Sequence, residues 1–492
     1  MADRASLDDL QLVRWLDAVA EQAGVDDLKS FFSVPAASRE EAVYRQEVFR
    51  DLGAAAVRRV MGAAMQALRE CELAHERASG VGASLELARY RLTAASAYVA
   101  GVRDLRNGLL ASGATSRALG SLGAYLDRYL ASEPFLRMAN RAGHLEAALG
   151  AIRYTLRVGP GYVTVDADAP KEDYAKVVVE TFARFRVGTS KDYRTAYRPA
   201  SHLNGLEERI LEELASQHED LFAELASFAR EYEDPVDPVM AQFGSDMHFY
   251  LAVADCRRES ERLGHPWTLP EIIEDEAPMR VRDAADLALI HPRLGAMDEV
   301  VRNDIDRLPH EHLVVITGPN QAGKTTFARI WGQLHILTRM GCPVPATDAH
   351  LPFMRLVDTH FEHAEQAATQ QGKLKDDLLR VHSIVERSDR GSLVILNELF
   401  ASTTATDAFV LSQDTLDRLL AKGAVVVCVT FLWELAERSG ATASWVGAVD
   451  PVDPRRRTYR IRRAPPEGRA HTEALAASYG LTAGSLASRL AR

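Results

Sequence analysis

The segment from Leu313 to Thr326 constrains the fold of this chain more than any other. Four apolar residues, Leu313 to Ile316, lead through Thr317 into a loop that starts at Gly318 and ends in Gly323-Lys324-Thr325. This spacing matches GxxxxGK[ST], in which small residues let backbone amides close around phosphate groups. The helix that follows adds the positive end of its dipole. The segment therefore predicts a buried strand, a phosphate-binding loop and a helix that begins at Thr325.

Each residue of this loop has a predicted place in a site for ATP and Mg²⁺. Lys324 is expected to reach the β and γ phosphates, and the Thr325 hydroxyl is expected to bind Mg²⁺. A chance glycine-rich turn is disfavoured, because the required strand and helix flank the match. The predicted nucleotide-binding residues are Gly318, Pro319, Asn320, Gln321, Ala322, Gly323, Lys324, Thr325 and Thr326.

A second apolar strand, Leu393 to Leu396, is followed by Asn397 and Glu398. Asn397 stands where an ATPase of this type usually has an aspartate for the metal. An amide oxygen can hold a metal-bound water but brings no charge, so Mg²⁺ would depend more on Thr325 and the phosphates. Glu398 is predicted to orient and polarise the hydrolytic water, which makes Glu398 and Lys324 the candidate catalytic residues. A plain buried strand ending in a surface glutamate remains the alternative.

Composition restricts the class of protein. A length of 492 residues favours two or more domains, and 47% hydrophobic with 26% charged residues is ordinary for a globular protein. The formal net charge of −11 argues against indiscriminate binding of polyanions. Four widely spaced cysteines suggest reduced core residues rather than a zinc site. Neither a signal segment nor an apolar run of about 18 residues is present, so we expect no membrane span and a cytoplasmic location.

Apolar periodicity predicts helices from residue 6 to about 150, followed by a β-hairpin from about 152 to 166 around Gly159-Pro160-Gly161. Residues 203–232 predict one helix, a rod of about 45 Å at 1.5 Å per residue. Another helix is predicted from Met240 to Leu263, and a domain boundary is expected near residue 280. Beyond it, buried-strand runs alternate with helices, which predicts an α/β domain.

Two basic segments raise the question of nucleic-acid binding. Residues 184–202 interleave arginines, Arg194 and Arg198 among them, with aromatic residues that could stack on bases. Residues 455–463 form an arginine-rich stretch. A solvated loop and a strand with a solvated face are the respective alternatives, and both stay open.

The motifs together resemble the MutS family. Gly318-Pro319-Asn320 before Gly323-Lys324 is similar to that family's GPNxxGK[ST] loop, and residues 340–346 resemble its GxxVPA turn. Weaker similarity is found in His291-Pro292, in residues 301–304 and 402–408, and in residues 44–52. The resemblance covers most of the chain, strongly from about 290 to 462.

The resemblance implies an α/β P-loop NTPase domain of the ABC-like type at residues 281–492, ending in a helical dimerisation tail. An all-α core and lever domain is implied at residues 1–280, with a small β insertion and a reduced clamp-like insertion at about 150–202. The mismatch-binding and connector domains of the family are not expected here, because there is no room for them before residue 25. A homodimer is implied in which each nucleotide site is completed by the other subunit.

This chain departs from the family pattern at several positions. Asn397 replaces the aspartate, and Phe431 stands where the family has a histidine. The family's serine-bearing segment, which contacts the partner's nucleotide, appears as residues 370–377, where Lys373 or Lys375 could substitute. For these lysines, the solvated start of a helix is an equally good interpretation.

Two functional hypotheses follow. The first is an ATP-hydrolysing, DNA-binding homodimer of the MutS type, which would act as a clamp on mismatched or branched DNA. The second is a nucleotide-gated protein-interaction switch that has lost DNA binding, which the acidic net charge favours. A small-molecule kinase is disfavoured, because the chain shows no acceptor-substrate motif.

Overall fold

The structure is a computed structural model. It describes residues 4–25, 28–79, 85–160, 162–166, 181, 205–294, 300–361, 373–438, 440–450 and 457–466. Residues 1–58, 114–120 and 245–492 form one compact unit, and residues 59–113 and 121–244 form a second. We call them the α/β unit and the helical unit. They divide the chain differently from the predicted sequence boundary near residue 280, which stays a prediction.

The chain order of elements begins with helices. The helices are α1 (Arg4–Asp9), α2 (Leu12–Ala23), α3 (Lys29–Phe32), α4 (Arg39–Asp51), α5 (Ala55–Ser79), α6 (Leu85–Ser112), α7 (Arg117–Leu130), α8 (Glu133–Ala151), α9 (Gly205–Gln217), α10 (Glu219–Glu231), α11 (Pro238–Arg262), α12 (Leu287–Ile290), α13 (Lys324–Arg339), α14 (Lys373–Arg387), α15 (Ala405–Ala421) and a 3₁₀ helix (Trp433–Glu437). The strands are β1 (Thr155–Gly159), β2 (Tyr162–Asp166), β3 (Glu271–Ile273), β4 (Met279–Ala284), β5 (Asn303–Arg307), β6 (Leu313–Thr317), β7 (Asp348–Pro352), β8 (Leu356–His360), β9 (Ser392–Asn397), β10 (Val425–Val429), β11 (Thr442–Val449) and β12 (Arg457–Arg463).

The helical unit confirms the predicted helices and the predicted hairpin. Strands β1 and β2 pair antiparallel, with Gly159 opposite Tyr162. The helices bury Tyr98, Phe135 and Phe228. The Tyr98 hydroxyl donates to Tyr129 at 3.1 Å and accepts from the Asp237 amide at 3.1 Å, so a buried polar group is fully used.

The single long helix predicted over residues 203–232 is wrong. Helix α9 ends at Gln217 and α10 starts at Glu219, because His218 has a φ of −126° and a ψ of 45°, outside the helical region. Glu219 and Asp220 then lie in the first turn of α10, where acidic residues stabilise a helix N-terminus. The apolar periodicity hid this break, because it continues through both helices.

A six-stranded sheet forms the centre of the α/β unit, in the order β12-β11-β6-β10-β9-β8. All neighbouring pairs are parallel except β11 and β12. Every residue of β6, β9 and β10 is buried. The predicted buried-strand runs are therefore confirmed, since strands covered on both faces need apolar residues throughout. A four-stranded sheet, β3-β7-β4-β5, lies in the same unit.

The first helices of the chain belong to the α/β unit. The Gln333 side chain donates to the Leu10 carbonyl at 3.0 Å, and the Thr359 hydroxyl donates to Asp9 at 2.6 Å. At Gly341, where φ is +72°, an added Cβ would lie 2.7 Å from the Ala42 carbonyl oxygen of α4. The glycine of the predicted GxxVPA turn thus permits close packing of α4 on the end of α13.

The four cysteines are all buried. In the part of the chain that the structure describes, no helix is long and apolar enough to cross a membrane. The basic segment 184–202 and the tail after residue 466 lie outside the described residues.

Candidate functional site

The loop between β6 and α13 has the backbone that its glycines predict. Gly318 has a φ of +121°, and Gly323, which precedes the first residue of α13, has a φ of +88°. Gln321 also lies in the left-handed region, at a φ of 60°. Residues that carry a Cβ rarely adopt such positive φ angles, so the glycines allow a tight loop that ends on a helix N-terminus. The helix begins at Lys324, one residue before the predicted start.

Lys324 lies folded over this loop and is only 5% exposed. Its ammonium donates to the Gly318 carbonyl at 2.9 Å and to the Pro319 carbonyl at 3.1 Å. The same nitrogen lies 4.2 Å from the centre of the Phe431 ring. Burial lowers the pKa of Lys324, and the nearby carboxylate of Glu398 partly opposes that effect.

The next residue, Thr325, joins the loop to β9. Its hydroxyl donates to the side-chain oxygen of Asn397 at 3.0 Å. Thr325 follows the loop after β6 and Asn397 ends β9, and these two strands are separated only by β10, which pairs with both. The structure thus brings together Thr325 and Asn397, the two residues predicted for the metal site.

Glu398 follows β9 and lines the same cavity as the loop. Its backbone has a φ of 55°, and its amide donates to the Val429 carbonyl at 2.9 Å. A non-glycine residue in this conformation is uncommon and has to be held by its surroundings. The bond to β10 holds it here and leaves the side chain half-buried at the edge of the sheet.

The cavity at this edge has a volume of about 490 Å³. One wall is the loop from Asn320 to Thr326 together with Glu398. The carbonyls of Gly318 and Pro319 hold the Lys324 ammonium at this wall. The rest of the lining includes an apolar group of residues, namely Leu289, Val300, Val301, Ile330 and Tyr459, which we call the apolar wall. The lining thus combines polar, amide-rich residues with apolar ones.

Tyr459 is a residue of this site that the sequence interpretation missed. Its ring approaches Gly323, and the side-chain amide of Asn303 donates to its carbonyl at 3.2 Å. The Asn303 oxygen accepts from the Ile461 amide at 2.8 Å, so one asparagine clamps β12 on both sides of Arg460. Tyr459 belongs to an arginine-rich stretch, and such a composition indicates contacts made by charge and does not single out the aromatic residue.

Gly447 of β11 was also missed. An added Cβ on Gly447 would lie 2.8 Å from the Ala322 Cβ, and one on Gly318 would lie 2.9 Å from the Gly447 nitrogen. The loop and β11 therefore touch through two glycines. An isolated glycine inside a strand is a known sign of close backbone approach, so the signal was present.

Asp286 lies at the cavity and is 1% exposed. It accepts from the Arg329 guanidinium of α13 at 2.5 Å and from the Ala288 amide at 2.8 Å. Its charge is thus satisfied by a helix cap and an ion pair. We assign it to positioning α13.

The donors near Thr325 suit a magnesium ion that is held chiefly by phosphate oxygens and water. Thr325 and Asn397 offer two neutral oxygens, which are hard ligands. Within the described residues, no group of three or more His, Cys, Asp or Glu side chains is placed to hold a metal ion. An all-protein metal cage is therefore not formed by that part of the chain.

Other predicted features fall in part outside the described residues. Of the segment 370–377, residues 370–372 are outside, α14 begins at Lys373, and Lys375 is exposed on that helix. Thr404, in the predicted 402–408 turn, accepts from the Asp407 amide at 3.2 Å and so caps α15. That turn therefore has a structural role in starting a helix.

The comparisons with known proteins cover much of the segment that carries this site. The family model of MutS domain V matches residues 314–488. The mismatch repair protein MutS of Halalkalibacterium halodurans is 28% identical over 197 residues, which is 39% of this chain and 21% of that protein. MSH3 of Arabidopsis thaliana is 30% identical over 262 residues, 51% of this chain and 23% of that protein. MutS of Thermus aquaticus is 32% identical over 145 residues, 30% of this chain and 18% of that protein.

The matched residues and the mixed α/β unit around them define a MutS domain V, an ATPase-type domain. The chain belongs to the MutS family. The matches span about a fifth of the length of these relatives.

Proposed function

We propose that this chain binds and hydrolyses ATP in a P-loop NTPase domain of the ABC-like type. The observation that carries the proposal is a single cavity in which the loop Asn320–Thr326 faces Glu398, while Thr325 is bonded to Asn397. Backbone amides of the loop and the N-terminus of α13 suit the phosphates, and the Lys324 ammonium supplies positive charge.

The hydrolytic roles follow from position at the sheet edge. Glu398 orients and polarises the attacking water, since it is the carboxylate of the cavity that is held rigidly at the end of β9. Mg²⁺, when bound with the nucleotide, neutralises charge on the β and γ phosphate oxygens. Thr325 would ligate it directly, and Asn397 would orient the Thr325 hydroxyl and hold a metal-bound water.

The apolar wall suits the base of the nucleotide. Tyr459 is 51% exposed and forms this wall with Val300, Val301 and Leu289. A flat aromatic ring beside branched aliphatic side chains is a usual base-binding surface, because a base has an apolar face that gains from stacking.

At the level of the whole protein, we propose a DNA-binding homodimer of the MutS type, in which ATP drives clamp-like movements on mismatched or branched DNA. The support is the family itself, since the relatives named above are DNA mismatch repair proteins. Each nucleotide site would be completed by the other subunit, with Lys373 or Lys375 at the start of α14 as the candidate contact. A cytoplasmic location stays a prediction.

A nucleotide-gated protein-interaction switch without DNA binding is the second candidate, and two observations favour it. The net charge is −11. In addition, Arg463 of the basic stretch is bonded to Glu311 at 2.7 Å, which removes one cation from any phosphate contact.

Nucleotide binding and turnover test the first proposal. We expect Lys324→Ala to lose ATP affinity by tenfold or more and Glu398→Gln to retain affinity but lose turnover. Lys29→Ala is the matched control, because Lys29 pairs with Asp17 on the surface. The site assignment is refuted if both site variants keep wild-type turnover.

DNA binding separates the two candidates. The clamp predicts salt-dependent binding to branched or mismatched duplex DNA that is lost in the Arg194→Glu, Arg198→Glu double variant. The control with equal charge change is Arg355→Glu, Arg390→Glu, because both arginines are exposed in the α/β unit. No binding at low salt, together with intact nucleotide binding, would favour the switch.

A further inference from the structure

Arg457 is the first residue of β12, and strand pairing fixes its position relative to the nucleotide loop. β11 runs parallel to β6, with Val446 opposite Thr317, so Gly447 and the residues after it lie beside the loop that follows β6. β12 pairs antiparallel with β11, and Arg457 is opposite Val449. Arg457 therefore lies beyond the end of β6, at the edge of the sheet that carries the loop.

The face of the sheet on which Arg457 lies is the one that packs on the loop and on α13. The centres of the Trp445 and Phe327 rings are 5.5 Å apart, and an added Cβ on Gly447 would lie 2.8 Å from the Ala322 Cβ. Alternate residues of a strand share one face, and opposite residues of an antiparallel pair share it too. The position opposite Arg457 is the next in the series after Trp445 and Gly447. Arg457 is thus on the loop side.

A bulge in β12 follows Arg457 directly. In this bulge, residues 458–460 of β12 lie opposite the single residue Ala448 of β11. The Thr458 hydroxyl donates to the Ala448 carbonyl at 2.6 Å, and Tyr459 has a φ of 55°. Bulges redirect side chains and are frequent beside functional sites. The bulge brings Tyr459 to the loop, while Arg457 stays paired with β11.

The charge of Arg457 acts on Lys324. Burial is the main cause that lowers the pKa of the Lys324 ammonium, and the positive charge of Arg457 lowers this pKa further. The Glu398 carboxylate acts in the opposite direction. Two cations held near each other beside a buried strand repel, and an anion bound to both removes that cost. A polyphosphate on the loop would be such an anion.

The neutral side chain of Asn397 gives a second cation a chemical purpose. A carboxylate at this position would help to bind Mg²⁺, which neutralises phosphate charge. Asn397 brings no such charge, so more of the phosphate charge has to be balanced by the chain itself. An arginine suits this task, because its guanidinium stays charged and donates in a planar fork that matches phosphate oxygens.

We propose that Arg457 is a second phosphate-binding cation of the nucleotide site, which acts with Lys324 on the polyphosphate and not on the base. This inference rests on the proposed nucleotide site. Arg457 then contributes to the binding of every ligand that carries the phosphate chain, inorganic triphosphate included.

The test measures the dissociation constants of a non-hydrolysable ATP analogue and of inorganic triphosphate, with Mg²⁺, for the full chain. Arg457→Gln removes the charge, and Arg457→Lys keeps it. The matched control is Arg462→Gln, because Arg462 is exposed and lies opposite Val446, on the other face of the sheet.

We expect Arg457→Gln to bind both ligands about tenfold more weakly, the size of one lost charge-assisted hydrogen bond. Arg457→Lys should recover most of this loss, since a lysine is also a cation that binds phosphate. Arg462→Gln should stay within about twofold of the wild type, because an exposed charge away from the ligand contributes little.

Salt dependence supplies a second readout. Added salt screens the attraction between the cations and the phosphates. The affinity of the wild type for inorganic triphosphate should therefore fall more steeply with KCl concentration than the affinity of Arg457→Gln. A purely structural role of Arg457 would leave this slope unchanged. Melting curves confirm that each variant is folded.

The outcomes separate this inference from the proposed function. If the wild type binds neither ligand, both fall. If the wild type binds nucleotide but Arg457→Gln keeps wild-type affinity for inorganic triphosphate, only the role of Arg457 is wrong. Arg457→Lys as weak as Arg457→Gln, or equal salt slopes in the wild type and Arg457→Gln, would overturn that role too, because its charge would then not be the cause.

Discussion

The Thr325 hydroxyl donates a hydrogen bond of 3.0 Å to the side-chain oxygen of Asn397. This bond orients Thr325 from the end of β9, as a carboxylate would, but with a neutral group. The lone pairs of the hydroxyl remain directed away from Asn397. In the proposed magnesium site, Asn397 would therefore supply an oxygen in the place of a carboxylate but without its negative charge.

The first prediction concerns that charge. Asn397→Asp should preserve or raise ATP turnover and should lower the Mg²⁺ concentration for half-maximal ATP binding about tenfold, which corresponds to ~1.4 kcal/mol. Without Mg²⁺, the same variant should bind ATP more weakly, because the new carboxylate repels the phosphates. Titration of binding against Mg²⁺ measures both effects. A collapse of binding with Mg²⁺ present would show that the Asn397 amide has another role.

The second prediction concerns Gly447. Gly447→Ala should weaken nucleotide binding tenfold or more, because the added Cβ would lie 2.8 Å from the Ala322 Cβ and would push the loop out of shape. Gly440→Ala is the matched control, since an added Cβ there meets nothing within 4 Å. Calorimetric binding of ATP to both variants checks this. Equal affinities would show that the contact between β11 and the loop is unimportant.

The third prediction concerns the base wall. Tyr459→Ala should weaken binding of ATP and ADP by the same factor, about 5- to 30-fold, because base stacking on an aromatic ring contributes about 1–3 kcal/mol. Tyr459→Phe should bind normally, since the ring and not the hydroxyl forms the wall. Inorganic triphosphate, which has no base, should bind the wild type and Tyr459→Ala alike. A loss of triphosphate binding in the variant would mean that Tyr459 supports the loop instead.

The fourth prediction concerns pH and stability. His335 of α13 is buried, and burial lowers its pKa to about 3. Because the folded-state pKa lies below the ordinary value of about 6.5, the unfolded state binds the extra proton first as the pH falls. This histidine should therefore cost up to about 1.4 kcal/mol of unfolding free energy per pH unit below about pH 6.

The measurement is urea unfolding of the wild type and of His335→Leu between pH 7 and 5. The difference in unfolding free energy between the two proteins should shift in favour of the variant as the pH falls. A constant difference would show that His335 takes up its proton without unfolding.

The parts of the site that neighbouring residues specify could be predicted from the sequence. The loop conformation depends on Gly318 and Gly323 in a short segment, and the buried strands depend on unbroken apolar runs. Thr325 and Asn397 could also be paired, because each follows a strand whose end lies at the same edge of a parallel sheet. In these cases the residue types and their spacing along a short segment are sufficient to predict the structure.

Other contacts depended on which distant segments became neighbours. Gly447 lies against Gly318 only because β11 pairs with β6, and Phe431 covers Lys324 only because β10 is inserted between β6 and β9. The break at His218 is similar, since the apolar spacing continues through it. A residue pattern records which faces are apolar but not the order in which strands associate. The sequence of the loop therefore determined its conformation and its chemistry locally. The contact of Phe431 with Lys324, the apolar wall with Tyr459 and the contact between Gly318 and Gly447 were decided by tertiary packing.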